Sequence, residues 1–339
     1  MALSVDGAGS RPDDSWMHLA YDAPCPCGSD KKTRACCLRT MPVRQRDGSL
    51  RQERGIVVAQ ADPRPPKPTT GIAVSGCYAA PLADCAGDLE GEHFVSHRML
   101  KMLAGESGVL NVKGIAPQNP DLERRVAVKR LTANVLCARH NRAMKPIDTA
   151  GNNFFETVAT LGNVLEDAPP GAERIVALNG HDLERWCLKT LCGFLARAGK
   201  PVPDLWVRIL FGHGSLLQPR GLYIYAAVGD VLSGDAIGIT EVRVKGGESV
   251  GLFAQLLNHE LVFSMAPASP VGVEEHVGKW RVYRPESFTF KNPANGSTLV
   301  LWLSWQDWLY HAPIDTEWSA GKISLIESPS NRRLEVRSS

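Results

Sequence analysis

The sequence has no long hydrophobic run. Its longest apolar stretches, such as Leu299 to Leu303, fall far short of the ~20 residues that a membrane-spanning helix needs. The start, Met1-Ala2-Leu3-Ser4-Val5-Asp6, has no basic segment leading into an apolar one, so no secretory signal is visible and a cytoplasmic protein without membrane partners is expected. No internal repeat or coiled-coil heptad is present, which excludes solenoids and long rods. Familiar short catalytic signatures are also missing. His259-Glu260 lacks the second histidine of a zinc protease, and Gly212-His213-Gly214 lacks the third glycine and the strand-turn-helix setting of a dinucleotide fold. The net charge of +2, taken as an average, argues against a strongly basic nucleic-acid binder.

What is present is charge that is segregated along the chain. Residues 31–68 hold ten Lys/Arg against three Asp/Glu, and residues 97–146 hold ten against three again, so the remainder is acidic and all of the basic excess lies in the N-terminal half. Local rather than total charge sets the field that a phosphate backbone meets. With 339 residues, 44% hydrophobic and 22% charged, the chain is long enough for two or three domains with a sizeable core.

The expected organisation is α+β in five parts: a tail (1–22), a small N-terminal zinc module (23–40), a basic Pro-rich linker (41–70), a second zinc domain (71–165) and a C-terminal α+β domain with an antiparallel sheet (172–330). Pro63, Pro65, Pro66 and Pro68 favour an extended linker. From Ile147, the spacing of Phe154, Phe155, Val158, Leu161 and Val164 predicts a helix. The loop at 167–172 predicts a boundary, and the apolar period of Asp182–Arg197 predicts another helix. Beyond residue 205 the period shortens, with strands expected at Gly221–Val228, Ile237–Val244, Leu261–Met265, Lys279–Tyr283 and Ser297–Trp305. Trp206, Trp280, Trp302, Trp305, Trp308 and Trp318 read as sheet core, and Cys187 and Cys192 as core thiols of the second helix. No motif in this half assigns it a role.

Nine cysteines in a chain expected to stay in a reducing compartment point to metal rather than to disulfides. Cys25, Cys27, Cys36 and Cys37 fall within thirteen residues, and four thiolates gathered by a Gly/Pro turn suit a closed tetrahedral zinc site. Zinc would also supply the folding free energy that so short a segment lacks. The run Pro24-Cys25-Pro26-Cys27-Gly28-Ser29-Asp30-Lys31-Lys32-Thr33-Arg34-Ala35-Cys36-Cys37 resembles the SEC-C motif, a small zinc-binding module. That resemblance implies an accessory role toward a protein or nucleic-acid partner, with Lys31, Lys32 and Arg34 available to an acidic surface.

Cys77 and Cys85 precede Gly91-Glu92-His93, and Cys137 and His140 sit two residues apart in Asn134-Val135-Leu136-Cys137-Ala138-Arg139-His140-Asn141. Three thiolates and an imidazole make a sound tetrahedral zinc set. The order of a Cys pair, an acidic-His dyad and a Leu-Cys-x-x-His-Asn turn resembles the HNH, or ββα-metal, endonucleases, whose zinc-bearing forms are of treble-clef type. The resemblance implies His93 as the general base, with Glu92 and Asn141 as ligands of a catalytic Mg²⁺ or Mn²⁺. Asp148 is a further oxygen donor. The helical ligand expected one turn after Asn141 is Lys145 here, and an ammonium cannot ligate Mg²⁺.

Arg98, Lys101, Arg124, Arg125, Lys129, Arg130, Arg142 and Lys145, with Lys113, form a basic set that can neutralise phosphates of DNA or RNA. Two functions follow as expectations. One is a metal-dependent nuclease with DNA as the favoured substrate; the other is a catalytically degenerate zinc protein that binds nucleic acid or a protein partner.

Overall fold

The structure is a computed structural model that describes residues 25, 31–32, 35–44, 50–112, 124–214, 221–226, 236–244, 247–255, 261–266, 281–305, 313–319 and 322–326. The tail, Cys27, Arg34, Lys113, Trp280 and Trp308 lie outside the described residues.

The first pairing falls where a linker is expected. Strand β1 (Leu38–Arg44) pairs antiparallel with β2 (Leu50–Ile56), Leu38 opposite Ile56 and Arg44 opposite Leu50. Both are edge strands, so the missing N–H of Pro42 costs no interior hydrogen bond. The Pro-rich stretch that follows carries no helix or strand, in keeping with fixed φ at its prolines.

A second pair, β3 (Leu89–Glu92) with β6 (Ala133–Cys137), is antiparallel and runs directly into helix α2 (Ala138–Ala143). Between these two strands the chain inserts α1 (His97–Ala104) and the pair β4 (Val109–Val112) and β5 (Arg124–Ala127). Helix α2 stops at Met144, and α3 (Lys145–Ala159) starts there with Pro146 in its first turn, where no intrahelical N–H is needed. The apolar face expected in this region is real: Ile147, Phe154, Phe155 and Val158 are buried, and Leu161 continues it into α4 (Leu161–Glu166).

Strand β7 (Glu173–Asn179) leads into α5 (Gly180–Arg197) and α6 (Asp204–Leu210). Nine further strands follow: β8 (Gly221–Ala226), β9 (Ala236–Val244), β10 (Gly247–Gln255), β11 (Leu261–Ala266), β12 (Arg281–Tyr283), β13 (Ser287–Lys291), β14 (Thr298–Ser304), β15 (Ile314–Ser319) and β16 (Lys322–Leu325). They form an antiparallel sheet, β12-β8-β11-β10-β9, and a mixed sheet, β16-β15-β13-β14-β7. The antiparallel expectation holds for one of the two. In the other, β14 lies parallel to β7 and β13 parallel to β15. Parallel pairing requires a long crossover, and for β7 and β14 the connection includes both helices and the whole antiparallel sheet.

Helix α5 holds these parts together. Fourteen of its eighteen residues are buried, and it packs on α3, α6, β6 and strands of both large sheets. Gly151 on α3 makes the closest approach possible, since a Cβ there would overlap the ring of Trp186 on α5. One hydrophobic core runs from Cys77 to Ile323, so the expected boundary at 167–172 is a turn against that core, with the Gly171 N–H donating to the Asn295 carbonyl at 2.8 Å. Trp305 and Trp318 are buried and Trp302 on β14 is half-buried, whereas Trp206, expected in a sheet, is buried on helix α6; Cys187 and Cys192 are buried on α5.

Candidate metal centre

Four sequence-distant residues meet at the junction of β6 and α2. His140 Nδ1 lies 3.7 Å from Cys77 Sγ, 3.7 Å from Cys85 Sγ and 3.2 Å from Cys137 Sγ, and all four donor atoms fall within 4.8 Å of one another. A tetrahedron with Zn–S and Zn–N bonds of about 2.3 and 2.0 Å has edges of about 3.5–3.8 Å. The set therefore fits zinc in size as well as in chemistry, and it is closed, because all four residues are buried.

The local sequence explains the convergence. Arg139 ties α2 to the preceding segment through its Nε, 3.0 Å from Asp84 Oδ1, and through donation to the carbonyls of Pro66 and Pro68. Asp84 in turn accepts from the Thr70 N–H at 2.9 Å, and the Thr70 hydroxyl donates to the Cys85 carbonyl at 2.8 Å. The Cys137 N–H points at Cys77 Sγ at 3.4 Å, an orientation that favours thiolate. Phe211, just after α6, packs on the site, its ring 4.9 Å from the His140 ring in an edge-on arrangement.

The electrostatics of these groups follow mainly from their burial. Burial, reinforced by the neighbouring thiols, pushes Cys77 up to about 12 and also raises Cys85. Burial lowers His140 to about 4, which leaves a neutral, ligand-competent imidazole at neutral pH. A divalent ion would relieve the cost of ionising the thiols here.

Cys25, Cys36 and Cys37 form a second cluster that could hold a metal. Cys36 Sγ and Cys37 Sγ are 3.7 Å apart, again close to a zinc tetrahedron's edge of about 3.8 Å. This cluster packs against Ala177, Ile175 and Trp302 of the mixed sheet and against Val58.

The dyad residues are near the first centre but are arranged differently from the expectation. A bulge at Glu90/Gly91 breaks the register of β3. Glu90 then accepts from Asn141 Nδ2 at 3.1 Å and lies 3.7 Å from Arg142, while Glu92 is buried and ion-paired with Lys189. Asn141 and Glu92, expected to share one ion, thus have separate partners. The Lys189 ammonium also donates to Asp148 Oδ1 at 2.6 Å and to the His93 carbonyl at 3.1 Å. Burial raises the Glu92 pKa, against the pull of Lys189. For Lys189, burial acts to lower the pKa, but Asp148 and Glu92 outweigh it and the net shift is upward.

His93 lies half-buried beside His97, ring centroids 4.6 Å apart. Its Nε2 is buried with no hydrogen-bond partner among the described residues, and burial, followed by His97 and Lys189, lowers its pKa. It is therefore neutral at pH 7 with one ring nitrogen unused.

The basic residues are almost all carried by the β3–β6 insertion, the last turn of α2 and the start of α3. Lys101, Arg124, Arg125, Lys129, Arg130, Arg142 and Lys145 are exposed. Arg98 pairs with Glu156 at 2.5 Å.

Sequence reasoning missed Lys189, Ser96 and Trp186 around Asp148, and the buried pair of Arg284 with Glu184, whose Nε–Oε1 distance is 2.7 Å. A lysine inside an amphipathic helix reads as a solvated position, and only the burial of every side of α5 makes it otherwise. No family model, curated protein or solved structure matches this chain. Among the described residues no helix is long and apolar enough to cross a membrane.

Proposed function

We propose that this chain is a zinc-stapled nucleic-acid-binding protein, built on an HNH-like ββα unit in which the hydrolytic centre is degenerate, with a SEC-C-like zinc module at its N-terminus. Each cysteine cluster would carry one structural zinc, Cys27 completing the first set. The observation that carries the reading is the basic insertion: Lys101, Arg124, Arg125, Lys129 and Arg130 stand exposed in one segment and none has an acidic partner among the described residues. Such a surface neutralises phosphates and binds with strong salt dependence and little sequence preference. DNA is the favoured partner, and Lys31 and Lys32, exposed beside the first cluster, offer a second contact to an acidic protein or to the same nucleic acid.

The hydrolytic alternative keeps one point in its favour, the neutral His93 with its unused Nε2. Against it, Glu92 is committed to Lys189 and Asn141 to Glu90.

Fluorescence anisotropy with labelled duplex DNA and RNA over a salt series tests the proposal. The log of the affinity should fall linearly with log salt, and Arg124→Ala/Arg125→Ala/Lys129→Ala/Arg130→Ala should flatten that slope by about 0.9 for each phosphate that the variant no longer neutralises. Absence of binding to both at low salt would overturn it. Incubation with plasmid and with RNA in Mg²⁺ or Mn²⁺, beside His93→Ala, should give no cleavage by either protein. Cleavage that disappears only in His93→Ala would restore the nuclease reading.

A further inference from the structure

Three oxygens from the end of β3 and the start of α3 converge on one point: a carboxylate oxygen of Glu92 at the end of β3, Oδ1 of Asp148 in the first turn of α3, and the main-chain carbonyl of His93. The occupant of that point is the ammonium of Lys189. An ammonium has three N–H donors, and here three acceptors meet them. Lys189 comes from the middle of α5, 41 residues after Asp148, and its side chain is 1% exposed.

The surroundings hold it in place. The Ser96 hydroxyl donates to the same Asp148 oxygen at 2.6 Å and accepts from Trp186 Nε1 at 2.7 Å. Trp186, one turn before Lys189 on α5, packs on Phe155 with ring centroids 4.8 Å apart and lies hard against Gly151. Lysine and tryptophan therefore arrive together from one helix that is buried on all sides.

Two carboxylates and a carbonyl are the oxygen set that a hard divalent cation takes, with water filling the remaining positions. For such an ion to enter, the ammonium would have to leave, and its side chain has only core to move into: Leu188, Thr190 and Cys192 beside it are all buried. An unpaired charge there is strongly disfavoured.

We infer that Lys189 is the resident cation of this carboxylate site. Its ammonium does permanently what a divalent ion would do reversibly: it neutralises Glu92 and Asp148, and it fixes the main chain at His93. The native protein accordingly takes no Mg²⁺ or Mn²⁺ at this position, and the charge cluster serves to lock α5 onto the ββα unit. The inference deepens the proposed degenerate centre, and its test involves no nucleic acid, so the two can fail separately.

The experiment uses the zinc-loaded full chain and follows Mn²⁺ uptake by electron paramagnetic resonance. The wild type should show no uptake that Glu92→Gln removes. Lys189→Ala should gain about one Mn²⁺ per chain, and Lys189→Ala/Glu92→Gln should lose it again. Glu92-dependent uptake by the wild type would overturn the inference, as would a folded, zinc-retaining Lys189→Ala that takes up no Mn²⁺. Should Lys189→Ala not fold, the wild type decides alone through the side-chain ¹⁵Nζ resonance of Lys189. A sheltered, hydrogen-bonded ammonium gives a signal that stays sharp when Mn²⁺ is added, whereas broadening by Mn²⁺ would show the ion beside it and reject the inference.

Discussion

Cys137 occupies two structures at once, the last position of β6 and the N-cap of α2, and its thiol is the one nearest His140 Nδ1, at 3.2 Å. Cys137→Ser should lower bound zinc from about two per chain to about one, measured by plasma emission on dialysed protein. Retention of both ions would remove this centre. The C-x-x-H spacing made Cys137 and His140 legible in the sequence, because ligands one helical turn apart share a face. Their partnership with Cys77 and Cys85 was legible only as chemistry, since nothing in a 51-residue gap fixes which thiol meets which.

His93 carries a prediction in pH. Burial holds its folded-state pKa below the ordinary histidine value, so below pH ~6.5 the unfolded chain binds the proton more readily than the native one. Its contribution makes stability fall as pH drops through that range, by at most about 1.4 kcal/mol per pH unit, until the native group also protonates. Urea unfolding at intervals from pH 7 to 5 should show a shallower loss for His93→Gln than for the wild type. Equal slopes would mean that His93 titrates alike in both states.

At the scale of elements, the crossing of α3 and α5 governs whether the unit of β3, β6 and α2 and the C-terminal sheets form one body. Trp186 is fully buried, and its Nε1 is bonded to Ser96, so it cannot yield to a methyl group placed against its ring. Gly151→Ala should cost at least about 1–3 kcal/mol through overpacking, seen as a lower urea midpoint with an unchanged slope. A change within about 0.5 kcal/mol would show that the helices can slide apart. The helical period of α5 was readable from Leu183, Trp186, Cys187, Thr190 and Leu191, and so was the helix. Its central position was not. Asp182, Glu184, Arg185 and Lys189 mark a solvated face in any pattern, yet here all four are buried and paired: Asp182 with the Ala61 N–H and Arg185, Glu184 with Arg284, and Lys189 with Glu92 and Asp148. Charge pairing across elements overrides amphipathic reading because a partner can come from any distance along the chain.

Across the whole molecule, the N-terminal cysteine cluster belongs to the C-terminal sheet. Cys25 and Cys37 pack with Ala177, and the segment just after β2 is stitched to the ends of β7 and β14. There the Val58 N–H donates to Ser304 Oγ at 3.2 Å, Asn179 Nδ2 donates to the Val58 carbonyl at 2.8 Å, and the Ala61 N–H donates to Asp182 Oδ2 at 2.9 Å. Loss of metal from this cluster should therefore be felt far away in sequence. Cys36→Ser/Cys37→Ser should raise amide hydrogen exchange in residues 57–62 and in β7 while leaving β3 and β6 protected. Protection unchanged in β7 would show that the module is only tethered.

The sequence by itself determined the ingredients: the two cysteine clusters, the segregated basic charge, the α+β class, and the strands and helices whose local period is unmixed. These depend on spacing along the chain, which primary structure states directly. Only the tertiary structure decided that β7 would pair parallel with β14, that Leu38–Arg44 and Leu50–Ile56 would pair as strands, that Glu90 and Glu92 would part company at a bulge, and that a lysine from α5 would fill the space between Glu92 and Asp148. Each of these outcomes depends on which distant groups are brought within hydrogen-bond reach in a dry interior, where an ion left without a partner costs far more than it does in water.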